Sequence, residues 1–179
     1  MSDLGSTFLS VARSGPRRLH QLMLRGEPPA IEELVGWEYR GINMPPTSAL
    51  LGLRRFIKGF VADDEAVALG YNKLVPGTDL TAAWTPRVRS NGRAAYAPFA
   101  VGPVDPSSSD NRHLNAVLLD YSAAPVPEPG MPARLRDYLE RVVPGSDHLL
   151  LGHAFMAFGG ARVPIGWFVL ERMGPADPA

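Results

Sequence analysis

The sequence contains no cysteine, which excludes a disulfide framework and any thiolate chemistry. It has no excess of either charge. Lys and Arg number 18, as do Asp and Glu, for zero net charge at pH 7. A general nucleic-acid binder relies on a basic surplus, so no nucleic-acid partner is expected. No apolar run approaches the ~20 residues of a membrane-spanning helix. The start, MSDLGSTFLSVARSGPRR, places acid before base, the reverse of a secretory leader. The expectation is a cytoplasmic protein without a membrane span. Also missing are HExxH and paired-histidine metal spacings, a G-x-S-x-G elbow, a P-loop and G-x-G-x-x-G. No metal site is expected.

What is present fits a globular chain. Of its 179 residues, 45% are hydrophobic and 20% charged, enough for one domain with a sizeable core and no staples. The 18 Pro and 18 Gly point to many turns and interrupted strands rather than a helical bundle.

Residues 1–35 read as a helical segment that packs on the rest. Ser14-Gly15-Pro16 is a helix start with proline at the first position. Leu19, Leu22 and Met23 then form a stripe of 3.6 period, and Gly26 ends it. Ile31-Glu32-Glu33-Leu34 adds one turn. From Trp37 the period changes to two. GWEYRGIN, LLGLRRFIKGFV, EAVALGYNKLV, RAAYAPFAVGPV and LNAVLLDY read as strands. TAAWTPRVR is weaker, because Pro86 demotes it to an edge or bulge, and Pro98 predicts a bulge in its own strand. PARLRDYLERVVPG reads as a helix, with Leu135, Tyr138, Leu139 and Val142 on one stripe. HLLLGHAFMAF and RVPIGWFVLERM form a closing hairpin around Gly159-Gly160. Residues 174–179 read as a disordered tail.

The fold expected for residues 36–173 is therefore mainly β. It is a curled antiparallel sheet or a lipocalin-like barrel of seven or eight strands, with an N-terminal helix and one helix before the last hairpin. Closure is open, since Pro86 and Pro98 can instead mark protected edges. So is a homodimer formed through such an edge.

The order of segments resembles the calycin-like small barrels, most closely the bacterial GXWXG/DUF4334 type. The resemblance is carried by Trp37-Glu38-Tyr39-Arg40-Gly41, Lys58-Gly59-Phe60, Val117-Leu118-Leu119-Asp120-Tyr121 and Trp167-Phe168-Val169-Leu170-Glu171-Arg172. It implies a barrel that holds an apolar ligand, and a first-strand aromatic, Trp37 or Tyr39, packed by Arg172. It implies no reaction and no cofactor.

Candidate site residues follow from the strand faces. Trp37, Tyr39, Phe56, Phe60, Tyr71, Trp84 and Tyr96 are the aromatics expected to face inward. Lys58 shares a face with Phe56 and Phe60, and Lys73 with Tyr71. A cation among inward aromatics can hold the carboxylate of an amphipathic ligand. It can equally be a strand-end lysine over a filled core. His153 sits on an apolar face with Leu149, Leu151 and Phe155. It is either a core histidine or, in a barrel interior, a haem ligand. Asp120 ends an apolar strand, as a tuned base or as a turn-capping residue. Arg87, Arg89 and Arg93 near Trp84 read as a solvated edge. The leading expectation is non-enzymatic binding of a small apolar or amphipathic molecule, lined by Trp37, Tyr39, Phe56, Lys58, Phe60, Tyr71, Trp84 and His153. Two alternatives stand: an enzyme using Asp120, His153 or Tyr71 as acid and base, and an interaction module with a filled core.

Overall fold

The computed structural model describes residues 7–44 and 53–179. Most of the MPPTSA loop, the first residues of LLGLRRFIKGFV and the acidic start of the chain lie outside them. Eight strands follow in chain order: β1 (Trp37–Asn43), β2 (Arg55–Ala62), β3 (Ala68–Val75), β4 (Ala95–Pro103), β5 (Val117–Asp120), β6 (Leu135–Val143), β7 (Ser146–Phe158) and β8 (Ala161–Pro175). Each is antiparallel to the next, and β8 returns to pair with β1, closing the barrel. Closure gives every strand two neighbours, which removes the exposed edge a strand-paired dimer needs. The architecture is that of a calycin-like barrel.

Period two sorts the side chains into two cores. Tyr39, Phe56, Phe60, Phe99, Leu119, Leu139, Leu150, Phe168 and Leu170 fill a cluster inside the barrel. Ile42, Tyr138, Leu149, Leu151, Phe155, Trp167 and Val169 form a second cluster on its outer wall. Two helices cover the outer wall. α1 (Phe8–Ala12) begins with a capping box between Thr7 and Ser10, which satisfies donors that the first turn leaves free. α2 (Pro16–Arg25) starts at the expected proline and buries Leu19 and Met23 against the outer cluster. The one-turn α3 (Ile31–Leu34) instead enters the inner cluster with Leu34.

Three expectations are corrected. The segment expected as a helix before the last hairpin is the strand β6, preceded only by a short 3-10 turn (Pro132–Arg134). Its stripe of Leu135, Tyr138, Leu139 and Val142 has the helical period, but as a strand it divides, Leu135 and Leu139 to the inner cluster and Tyr138 and Val142 to the outer. Pairing with β5 and β7 decides for the strand, because a barrel gap filled by a helix would leave two ladders unpaired. TAAWTPRVR forms no strand, although the Arg87 amide still donates to Leu74 O. The C-terminal residues are held further than expected. β8 runs to Pro175, and the Ala176 amide donates to Gly36 O.

Pro98 produces the bulge that was expected. The β3–β4 register shifts between Gly70 and Asn72, and Ala97 adopts φ 43°. Such a conformation costs an alanine energy and persists where surrounding contacts hold it. Here the Ala97 amide donates to Glu128 Oε2 at 2.7 Å.

On the outer wall Glu140 lies under the end of α2. A Cβ at Gly26 would collide with its carboxylate, so glycine is what lets the chain pass. Among the described residues, Glu140 Oε2 has no hydrogen-bond partner. Burial pushes its pKa up to about 7. The folded protein therefore holds a proton that the unfolded chain releases at the ordinary value of 4.5. This contribution to stability is complete below pH 4.5, declines as pH rises through about 7, and is lost above it. Chemical denaturation of Glu140→Gln is expected to match the native chain near pH 4.5 and to exceed it at pH 8. Equal stability of the two at both pH values contradicts the assignment.

Candidate functional site

The barrel interior is filled at one end and hollow at the other. At the filled end Leu34 of α3 is fully buried beside Tyr39, Phe60, Leu150 and Leu170. Tyr39 Oη donates to Asp147 O at 3.0 Å and accepts from Arg172. Arg172 also lies 4.8 Å from the Trp37 ring and donates to Glu33 O. So the late-strand arginine does pack the first-strand aromatics. Trp37 itself is not an interior residue. The β1–β8 register shifts between Glu38 and Tyr39, which breaks the alternation, and Trp37 stays at the rim, 37% exposed.

Edge-to-face rings climb the interior from there. Tyr39 meets Phe60, Phe60 meets Phe99, and Phe99 leans on Tyr121 at centroid distances of 5.1–5.8 Å. Phe56 meets Phe168 in the same way. Each of these last two rings lies over a glycine of the neighbouring strand. Phe56 covers Gly41 and Phe168 covers Gly152, at positions where any Cβ would strike the ring. The rings thus lie flat against the wall and leave the middle of the barrel free.

Above them is a cavity of about 250 Å³. Phe56, Phe168, Leu135, Ala154, Met156 and Ile165 supply its apolar wall. It lies at the end of the barrel where Asn43 closes β1, Leu135 opens β6 and Met131 is exposed.

Apart from Asn43 at the mouth, one polar cluster breaks this apolar surface. Lys58 of β2 donates to Asp137 Oδ2 of β6 at 3.1 Å, to Asn72 Oδ1 of β3 at 2.9 Å and to Tyr121 Oη, just after β5, at 2.6 Å. Tyr121 Oη donates in turn to Asp137 Oδ2 at 2.9 Å. Asn72 Nδ2 donates to Ala97 O at 3.0 Å, so the bulge at Ala97 supplies the acceptor that fixes the amide. The ammonium also lies 4.6–5.7 Å from the rings of Phe99, Tyr121, Phe168 and Phe56, which attract a cation through their faces. β2 and β6 are four strands apart in a barrel of eight. The Lys58–Asp137 pair therefore spans the lumen as a strut. No hydrogen bond to the second Asp137 oxygen, Oδ1, is found among the described residues.

Burial lowers the Lys58 pKa below its ordinary value, while the Asp137 charge and hydrogen bond act upward. Burial likewise raises Tyr121 well above the ordinary tyrosine value, with the Asp137 charge adding to it.

The other expected residues are distributed differently. Phe60 packs in the filled half, and Phe56 lines the cavity. Tyr71 faces the outer wall, where its hydroxyl donates to Glu38 Oε1 at 2.8 Å beside Lys73. Trp84 is also outside, edge-to-face with Phe8 and under Arg55. His153 does share a face with Leu149, Leu151 and Phe155, but that face points away from the lumen, into the outer cluster. It stacks on Trp167 at 3.7 Å and contacts His113 at 3.0 Å. Burial pushes the His153 pKa down to about 3 and that of His113 to about 4, so both are neutral at pH 7. No histidine lines the cavity, which removes the axial ligand of the haem reading. No group of three or more His, Cys, Asp or Glu among the described residues is arranged for a metal.

Asp120 caps a turn. Its Oδ1 accepts from the amides of Ser122 and Ala123 and pairs with Arg136. Asp120, His153 and Tyr71 therefore do not converge, and the titratable groups that do are Lys58, Tyr121 and Asp137. The Lys58 charge already meets Asp137, so a ligand carboxylate would have to compete with that pairing.

Comparison with protein-family models, curated proteins and solved structures returned no match.

Removing one partner of a buried ion pair strands the other charge, at a cost of about 3–5 kcal/mol. Urea unfolding should show that loss for Lys58→Met. Lys58→Met combined with Asp137→Leu should recover most of it. Additive losses in the double variant contradict a coupled pair.

Proposed function

We propose that the chain binds a small, neutral, amphipathic molecule in the open half of the barrel. The observation that carries this reading is an apolar hollow whose one polar cluster is already charge-compensated. A ligand there gains by removing apolar surface from water. Its polar end meets a floor that is neutral overall, where Asp137 Oδ1 offers an acceptor. A hydroxyl fits this floor. A carboxylate meets Asp137 as a like charge, and an ammonium meets Lys58. Each would place an unpaired charge in an apolar space.

Size narrows the class. A cavity of about 150 Å³ takes benzene, so 250 Å³ accommodates on the order of ten non-hydrogen atoms. That is a medium-chain alcohol or a molecule of similar bulk, smaller than a fatty acid of common chain length. The alternative of a filled interaction module has its support only in the lower half of the barrel.

The test is displacement of an environment-sensitive dye by 1-octanol, octanoate and octylamine. Octanol should bind at least roughly tenfold tighter than either charged analogue, which corresponds to about 1.4 kcal/mol. Ala154→Phe, which projects a ring into the cavity, should abolish octanol binding and leave the melting temperature near that of the native chain. No displacement by any of the three, or binding unaffected by Ala154→Phe, refutes the reading.

A further inference from the structure

Lysine is scarce in this chain. It has two lysines against sixteen arginines, and both lysines are buried. Lys73 lies on the outer wall and pairs with Glu38 at 3.0 Å. Only Lys58 lines the cavity. A lysine differs from an arginine in one chemical respect that matters here. Its amine, once it gives up a proton, is a nucleophile toward carbonyl carbon, and a desolvated site favours that form.

We propose that Lys58 captures an aldehyde in the cavity as a reversible imine; the proposal rests on the cavity being the binding site argued above. The residues for each proton are in place. Asp137 Oδ2 is 3.1 Å from Lys58 Nζ and takes a proton from the ammonium. The freed amine attacks the aldehyde carbon; a carbon–nitrogen bond forms as the carbon–oxygen π bond breaks, and the oxygen takes one of the Nζ protons to become a hydroxyl. Tyr121 Oη touches both Nζ and Asp137 Oδ2, at 2.6 and 2.9 Å, and relays protons between them. The hydroxyl leaves with a proton returned by Asp137, so one water is released. The product is a protonated imine at Nζ facing the Asp137 carboxylate. Atoms and charge balance with no redox partner.

The covalent state preserves the charge at Nζ, although Asn72 Oδ1 loses its donor. A protonated imine keeps a positive charge where the ammonium stood. Asp137 retains its counterion, and the Phe99 and Phe168 rings retain their cation. One N–H is left to donate, and Asp137 Oδ2 and Tyr121 Oη are both within its reach. The burial that lowers the Lys58 pKa increases the share of free amine available for attack. A hydrophobic aldehyde of about eight carbons suits both the volume and the apolar wall.

The experiment treats the whole chain with octanal and cyanoborohydride, then maps the octyl label by peptide mass spectrometry. Dye displacement by octanal and by 1-octanol is measured on the same preparation. Labelling is expected at Lys58 at least tenfold above Lys73, and blocked by saturating octanol. In Lys73→Arg, outside the cavity, octanal should still displace the dye and the label at Lys58 should be undiminished. If octanal displaces the dye but the native chain is labelled only at its N-terminus or not at all, the imine is overturned and the binding reading stands. If neither octanal nor octanol displaces the dye, both fall.

Discussion

Taking an ammonium and a carboxylate out of water costs several kcal/mol each, and this barrel does so across its own lumen. The Lys58–Asp137 pair joins β2 to the strand diametrically opposite. Asn72 and Tyr121 add β3 and the end of β5 to the same network. Four of the eight staves are thus tied at one level by groups that are satisfied only when the barrel is closed. An open or flattened sheet would separate β2 from β6 and leave both charges without partners. The network therefore constrains closure as well as contributing contacts.

That level also divides the interior. Below it, Leu34 from α3 and the rings of Tyr39, Phe60 and Phe99 fill the space. Above it, the rings of Phe56 and Phe168 lie against glycines and leave a void. The polar cluster serves as roof to the packed half and floor to the hollow one. A ligand entering the hollow meets an apolar wall first and the compensated pair last. Affinity and orientation are therefore assigned to different residues, the wall and the floor.

Much of the fold was legible in period and punctuation. Gly15-Pro16 and Gly26 marked the ends of α2, and alternation in GWEYRGIN and RFIKGFV marked β1 and β2. Pro98 marked a bulge. The misreading of β6 came from a strand apolar on both faces, whose residues mimic one helical stripe. It hid Asp137, which becomes visible only when Leu135, Asp137 and Leu139 are read as one strand face. Lys58 among Phe56 and Phe60 was legible as an inward cation. Its partner was not, because a contact across a barrel leaves no trace in local spacing. Tyr71, Trp84 and His153 were assigned to the lumen because a barrel wall has two buried faces here. α1, α2 and the C-terminal residues cover the outside, so burial alone did not separate inside from outside. Tyr121 continues the inward alternation of Val117 and Leu119 one residue past the strand end, so its face was legible although its hydrogen-bond partners were not.

The central claim is that Lys58 lies at the floor of a ligand cavity and Lys73 outside it. With only two lysines in the chain, selectively carbon-labelled lysine gives two side-chain signals that a Lys73→Arg variant assigns. Titrating the native protein with 1-octanol and following both signals by NMR tests the claim directly. The account predicts a saturable shift of the Lys58 ε-methylene and a stationary Lys73. A stationary Lys58 while octanol saturates the protein, or a shift confined to Lys73, would contradict it.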